Sequence, residues 1–256
     1  VDNFRVSPTG DRIAFSLAVF RDCADLACTK RRMDAQAKNK ASGRVYDRLF
    51  VRHWDTWGDG RNAVLFSAPL DGNGRVSGTP VSLSGSLDAN VPSKPFGDRE
   101  EYRFSPDGKT VVFTARIAGK TEAWSTNFDL YSVPAAGGAA PRNLTAENPA
   151  WDTKAVFSPD GKTLAYLAMS RPGFEADRFA LIELDLASGA RREIAPKWDR
   201  SADGITLSAD GESIYTTAQD MGEHPLFAVD IASGEASRVV ADGTVTAFDI
   251  AGNATA

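Results

Sequence analysis

Proton-transfer chemistry near neutral pH most often uses histidine, and this chain of 256 residues has two, His53 and His224. His224 directly precedes Pro225 at the start of a strand-like run, which reads as a surface or edge position. His53 lies between Arg52 and Trp54 in a stretch rich in aromatics and charge. It reads either as a packed, hydrogen-bonded side chain or as one facing a cavity. A nucleophilic serine on a strained strand-to-helix turn would appear as G-x-S-x-G, and the sequence contains no such motif. The charged group Arg171, Glu175, Asp177 and Arg178 falls in a loop between strand-like runs, where it can form an internal salt-bridge network or face a cavity. No metal or cofactor is expected. Asp71-Gly72-Asn73-Gly74 lacks the remaining ligands of a calcium loop, and Cys23 and Cys28 lack the further ligands a zinc ion needs.

The same two cysteines form a C-x4-C pair flanked by polar residues. Such a pair either closes a small disulfide loop, as an oxidising compartment would favour, or remains as two free thiols; the disulfide is the expectation. With 42% hydrophobic and 25% charged residues the composition is that of a globular protein with a sizeable core. The net charge of -5 offers no overall positive field for a phosphate backbone, and no apolar run approaches the ~20 residues of a membrane helix. Neither nucleic acid nor a membrane is therefore an expected partner. Lys30-Arg31-Arg32, followed by Lys38 and Lys40, reads as a solvated flexible arm.

The elements that must position these groups are set by an internal repeat. Val6-Ser7-Pro8-Thr9-Gly10-Asp11, Phe104-Ser105-Pro106-Asp107-Gly108-Lys109, Phe157-Ser158-Pro159-Asp160-Gly161-Lys162 and Leu207-Ser208-Ala209-Asp210-Gly211-Glu212 each precede a β-branched or aromatic run. Proline presets φ, aspartate accepts backbone hydrogen bonds and glycine tolerates positive φ, so each reads as strand, tight turn, strand. Downstream of each hairpin a further strand and glycine turn recur, as in Leu181-Ile182-Glu183-Leu184-Asp185-Leu186-Ala187-Ser188-Gly189, followed by a short fourth strand. Four meandering strands per unit are the content of one β-propeller blade.

The fold class expected is therefore all-β: a partial β-propeller of four-stranded antiparallel blades, about four complete and the start of a fifth. Ser105 to Ser158 is 53 residues and Ser158 to Ser208 is 50, but Ser7 to Ser105 is 98. The excess reads as an insertion of about residues 20–60 within the first blade. The expected blades are 1–91, 92–147, 148–199 and 200–243, with the next beginning at 244–256. A ring left open at this point is expected to be a piece of a longer propeller.

The serine-proline-aspartate-glycine hairpin is shared by many propellers, including the periplasmic propeller of the Tol system, and assigns fold alone. Two stretches are more specific: Arg48-Leu49-Phe50-Val51-Arg52-His53-Trp54-Asp55-Thr56-Trp57 and Arg171-Pro172-Gly173-Phe174-Glu175-Ala176-Asp177-Arg178. With them the chain resembles, over essentially its whole length, the propeller of prolyl oligopeptidase family serine peptidases, nearest the bacterial dipeptidyl-peptidase V and acylaminoacyl-peptidase group. The resemblance implies a parent in which this propeller gates short peptides toward a C-terminal α/β-hydrolase domain bearing a Ser, Asp, His triad. It implies a secreted or periplasmic location and no peptidase activity in this chain alone. It also gives the candidate residues roles. A propeller carboxylate holds the free N-terminal ammonium of the peptide substrate, a role that falls to Glu175 with Arg171 and Arg178 beside it. His53 would face the hydrolase domain or the substrate cavity, and Trp54 and Trp57, which project from an insertion, read either as core packing or as anchors of such an interface. The pair Glu100-Glu101 resembles the double glutamate of the dipeptidyl peptidase IV branch, but neighbours entering a strand point to opposite faces and cannot easily serve one site. The rival reading is a non-enzymatic protein-binding scaffold of the Tol-system kind.

Overall fold

The computed structural model describes residues 1–46, 51–240 and 242–251, and of His53 the backbone only. The chain opens with β1 (Asp2–Val6) and β2 (Arg12–Val19), leaves the sheet for α1 (Leu26–Lys38) and the hairpin β3 (Arg52–His53) and β4 (Thr56–Trp57), and returns as β5 (Asn62–Pro69) and β6 (Val81–Ser82). Three regular units follow: β7 (Tyr102–Phe104) to β10 (Arg142–Asn143), β11 (Asp152–Phe157) to β14 (Arg191–Glu193), and β15 (Thr206–Leu207) to β18 (Ala236–Arg238). Each forms a four-stranded antiparallel sheet in chain order, the first as β1-β2-β5-β6, so the insertion bridges two adjacent strands without disturbing their pairing.

Within each hairpin the serine does more than the motif suggests. Ser105 Oγ accepts the Thr110 N–H at 2.9 Å and donates to Asp107 Oδ1 at 2.6 Å, while Asp107 Oδ1 also accepts the Lys109 N–H at 3.0 Å. Ser158 and Ser208 repeat this arrangement, and Gly108 closes its turn at φ 71°. The serine hydroxyl and then the Lys162 backbone hold the Asp160 carboxyl down at about 2.

The core lies between sheets. Ala14 and Leu65 of the first sheet meet Val111, Phe113 and Tyr131 of the second. Val112 and Leu130 meet Phe157 and Leu164 of the third, and Leu167 and Leu181 meet Ile214 and Val229 of the fourth. Because they lie in sheets with a neighbour on each side, Thr110–Ala115 and Thr163–Ala168 are almost wholly buried instead of alternating, whereas Ser213–Thr217 of the fourth sheet alternates. The other face of the first sheet carries Phe15 stacked on Phe66, ring centres 6.1 Å apart.

The antiparallel order also sorts the loops. Serine hairpins and glycine turns fall at one end of every sheet. The links between second and third strands fall at the other, together with the sheet-to-sheet connections. The insertion and segments 83–101, 116–128 and 169–179 therefore share one face. His224 is at this end too, where Nε2 meets Asp203 Oδ2 at 2.5 Å and Nδ1 lies 3.3 Å from the Val245 carbonyl, tying down the chain after β18.

One carboxyl lies in the seam itself. Asp152 is 0% exposed, its N–H donates to the Phe128 carbonyl at 2.8 Å and its Oδ1 accepts from Asn148 Nδ2 at 2.8 Å. Burial pushes its carboxyl up to about 7, against the opposing hydrogen bonds of Asn148 and Thr145. The folded chain thus keeps a proton that the unfolded chain loses near pH 4, so the stability present in acid is lost as pH rises toward 7. Asp152→Asn keeps an acceptor for Asn148 and removes this slope. In urea titrations the variant is expected to match the wild type near pH 4 and to exceed it at pH 8, by up to about 4 kcal/mol; parallel pH profiles for the two proteins would disprove the assignment.

Candidate functional site

On the loop-bearing face, segment 169–179 is held at its base by one carboxylate. Asp177 Oδ2 accepts the Ser170 and Arg171 N–H groups, both at 2.8 Å. Partial burial alone would push the Asp177 carboxyl up, but these donors, with that of Arg178, bring it below the usual range. Gly173 N–H donates to Thr126 Oγ1 at 2.8 Å, fixing the loop tip on the neighbouring blade. Arg178 donates to Glu193 at 2.6 Å and to the Trp198 carbonyl at 3.1 Å. Its guanidinium thus joins the loop to the outer strand. Arg171 lies over the Phe174 ring at 4.0 Å. Glu175 is exposed at the tip, and among the described residues its carboxylate takes part in no ion pair or hydrogen bond.

The cation nearest in effect to Glu175 is one that sequence reasoning missed. Arg116, just past strand Thr110–Ala115, lies over the Phe128 ring at 4.6 Å and donates to the Ser125 carbonyl at 2.8 Å, with Glu122 at 3.7 Å. Burial lowers the affinity of its guanidinium for the proton, and the fields of Glu122 and then Glu175 oppose this. Phe128 in turn stacks on Trp151 at 4.4 Å, and Trp151 meets Phe179 edge-on at 5.7 Å. A cation is thereby set on a rigid aromatic floor, within the field of Glu175. The only advance signal for Arg116 was its place directly after a strand on the same end as Glu175, legible once strand order is known.

Arg116 borders a cleft of about 10 Å³ with Ser93, Lys94 and Glu122, too small for a ligand as it stands. A larger cavity of about 420 Å³ opens on the flank of the third blade. Its arginines are occupied, Arg178 by Glu193, Arg191 by Glu147 at 2.7 Å and Arg192 by Glu183 at 2.6 Å, and Glu175 does not line it.

The two adjacent glutamates have separate tasks. Glu100 pairs with Arg5 at 2.6 Å and with Arg103, whereas the buried Glu101 accepts the Ser93 N–H and hydroxyl, each at 2.6 Å. Burial raises the Glu101 carboxyl and the Ser93 bonds counter it. Above this anchor Gly97 N–H donates to the Ser93 carbonyl at 2.9 Å, which shapes the turn carrying Phe96.

Of the aromatic motif in the insertion, Arg48, Leu49, Phe50 and the His53 side chain lie outside the described residues. Trp54 is 70% exposed and packs on Phe96, itself 72% exposed, with ring centres 5.3 Å apart. Trp57 is 54% exposed and lies 5.9 Å from the Tyr46 ring, with Arg52 over it at 5.7 Å. Cys23 and Cys28 are joined by a disulfide at the start of α1, where Asp25 accepts the Cys28 N–H at 2.6 Å. The basic run expected as a flexible arm is helical: Arg32 pairs bidentately with Asp22 at 2.7 and 2.8 Å and stacks on Phe20, and Thr29 is buried against the blade.

No protein-family model matches the chain. A curated relative, dipeptidyl-peptidase 5 of Arthroderma otae, is 32% identical over 232 residues, which covers 84% of this chain and 32% of the relative. The chain is a propeller piece of the prolyl oligopeptidase family. This propeller thus spans about a third of the curated relative's length. Among solved structures, the acylaminoacyl peptidase of Pyrococcus horikoshii superposes with a TM-score of 0.57 at 14% identity, over 97% of this chain and 34% of that one. TolB from Acinetobacter baumannii gives 0.52 at 18% identity, over 93% and 43%. Likeness at such identities carries the propeller fold only.

The twin glutamates give a direct check on this geometry. Glu101→Ala strands two buried donors of Ser93 and is expected to lower unfolding free energy by about 1–3 kcal/mol. Glu100→Ala, at a half-exposed pair, is expected to cost less than about 1 kcal/mol. Equal losses in guanidinium titrations would mean that Glu101 is not the anchor.

Proposed function

We propose that this propeller is the non-catalytic, substrate-gating part of a serine exopeptidase acting on short peptides, of dipeptidyl or acylaminoacyl peptidase type. The observation that carries the reading is Glu175: a carboxylate without an ion-pair partner among the described residues, on a loop fixed by Asp177 and Thr126, beside the half-buried Arg116. The peptide's N-terminal ammonium binds Glu175 and a backbone carbonyl turns to Arg116, so binding energy is used for orientation. Bond breaking falls to a C-terminal α/β-hydrolase domain of the parent, because the described residues bring no serine or cysteine nucleophile to His224, whose ring is taken up by Asp203 and Val245. Family membership and the dipeptidyl-peptidase 5 likeness support this assignment.

The disulfide supports a secreted or periplasmic location. Alkylation of the protein taken from its source under denaturing conditions is expected to find no free thiol at Cys23 or Cys28, and labelled cysteines would refute that location. A second reading, a protein-binding scaffold, is favoured by the TolB likeness over 93% of the chain.

Hydrolysis of chromogenic dipeptides by the parent, by this chain and by a parent carrying Glu175→Gln separates the two. The parent is expected to be active and this chain inactive. Glu175→Gln is expected to lose about 10- to 100-fold in kcat/KM on free-amine substrates, and little on N-acylated ones. An inactive parent favours the scaffold, and unchanged kinetics in the variant return Glu175 to the surface.

A further inference from the structure

Two large rings stand out on the same face as Glu175. Trp54 and Phe96 come from segments of unrelated sequence, the insertion hairpin and the 93–97 turn, yet meet with ring centres 5.3 Å apart and planes tilted by 59°. Both keep about seven-tenths of their surface in water. Exposing that much aromatic surface is unfavourable, and both segments are built to maintain it.

Phe96 rides on a turn whose base is the buried Glu101–Ser93 anchor. Trp54 has a backbone φ of 48°, the left-handed region that a bulky side chain rarely enters, and the Arg52 guanidinium donates to its carbonyl. Strain of this kind, of order 1–3 kcal/mol, persists where surroundings impose it and is concentrated at binding sites.

The pair also has an address. Lys94, two residues before Phe96, shares a cleft with Arg116, and Arg116 lies in the field of Glu175. Ring pair, cation and carboxylate therefore follow one another along the rim. Arg52, Asp55 and Lys94 flank the two rings in sequence, and Trp57 and Trp124 are further exposed rings on this face. A domain interface needs several hundred Å² of continuous contact on each side, whereas a single side chain is matched by two rings. Two ring faces tilted by 59° suit stacking and edge contact with one planar aromatic side chain.

We propose that Trp54 and Phe96 form a subsite for one aromatic side chain of the peptide whose ammonium Glu175 holds. The subsite rests on the reading of Glu175 given above, and it selects among peptides instead of admitting them.

The test is fluorescence anisotropy on this chain with free-amine hexapeptides labelled with fluorescein at the C-terminus. One phenylalanine is moved through positions one to four of an otherwise alanine sequence, and each peptide is also made N-acetylated. The wild type is expected to favour phenylalanine at one position by about three- to tenfold over the all-alanine peptide. Trp54→Ala and Phe96→Ala are each expected to abolish that preference, and Trp54→Phe to retain most of it. N-acetylation and Glu175→Gln should weaken every peptide alike.

Loss of the acetylation effect with the phenylalanine preference intact would remove the Glu175 reading and keep the ring subsite. An acetylation effect with no phenylalanine preference, or with a preference that survives both alanine variants, would overturn the subsite alone. If no peptide binds the wild type, both fail. If the alanine variants keep peptide selectivity but make the full-length parent easier to cleave between its domains, the rings are an interdomain contact and the subsite is wrong.

Discussion

The first three sheets of this chain are apolar on both faces, and the rest of the structure follows from having to bury both. A single twisted sheet with Val111 and Phe113 on one side and Val112 on the other cannot be stable alone; it requires a neighbour on each side. Stacking sheets face to face around an axis meets the requirement, and it leaves strand ends and connections as the places where sequence is free of packing demands. The insertion between β2 and β5 exploits that freedom: residues 20–61 leave the blade and the two strands still pair continuously from Arg12↔Pro69 to Val19↔Asn62.

The same constraint explains what the sequence made legible. Strand content, blade units and the position of the insertion follow from residues that must be apolar on both faces and from turns that must be tight, and both leave local marks. Ser105-Pro106-Asp107-Gly108 is read from four adjacent residues because its hydrogen bonds are between those residues and the next two. Arg116 and Phe96 left no such marks, since their importance comes from Phe128, Glu175 and Trp54, which are distant in sequence and brought close only by the order of strands. The helix α1 was misjudged for a related reason: its basic run looks solvated until Asp22 and Phe20, on the root of the insertion, are placed against Arg32.

Sorting the acidic residues by what they hold separates structure from function more sharply than position does. Asp177, Glu101 and Glu193 each receive two donors or an arginine, and each fastens a loop to a blade. Hydrogen bonds to a charged group contribute about 1.5–3 kcal/mol, so these residues are accounted for by stability. Glu175 lies among them and shares none of their bonds. A carboxylate left open on a loop that three other interactions hold still contributes little to the fold. It does keep its full capacity for an incoming cation without any cost of ordering the loop on binding.

That division also bears on how one fold serves peptidases and scaffolds. The hairpin end of this propeller repeats on the second to fourth blades with the same serine, aspartate and glycine geometry, and on the first blade Ser7 turns to Asp11 instead. The opposite end differs at every blade: a disulfide-fastened helix and aromatic hairpin on the first, an arginine over a phenylalanine on the second, an open glutamate on the third. These additions lie outside the apolar seams between the sheets. Their clustering on one face, with aromatic surface kept exposed and a tryptophan held at positive φ, is what a surface selected for contact requires, and a scaffold that bound partners through its repetitive end would have no use for them.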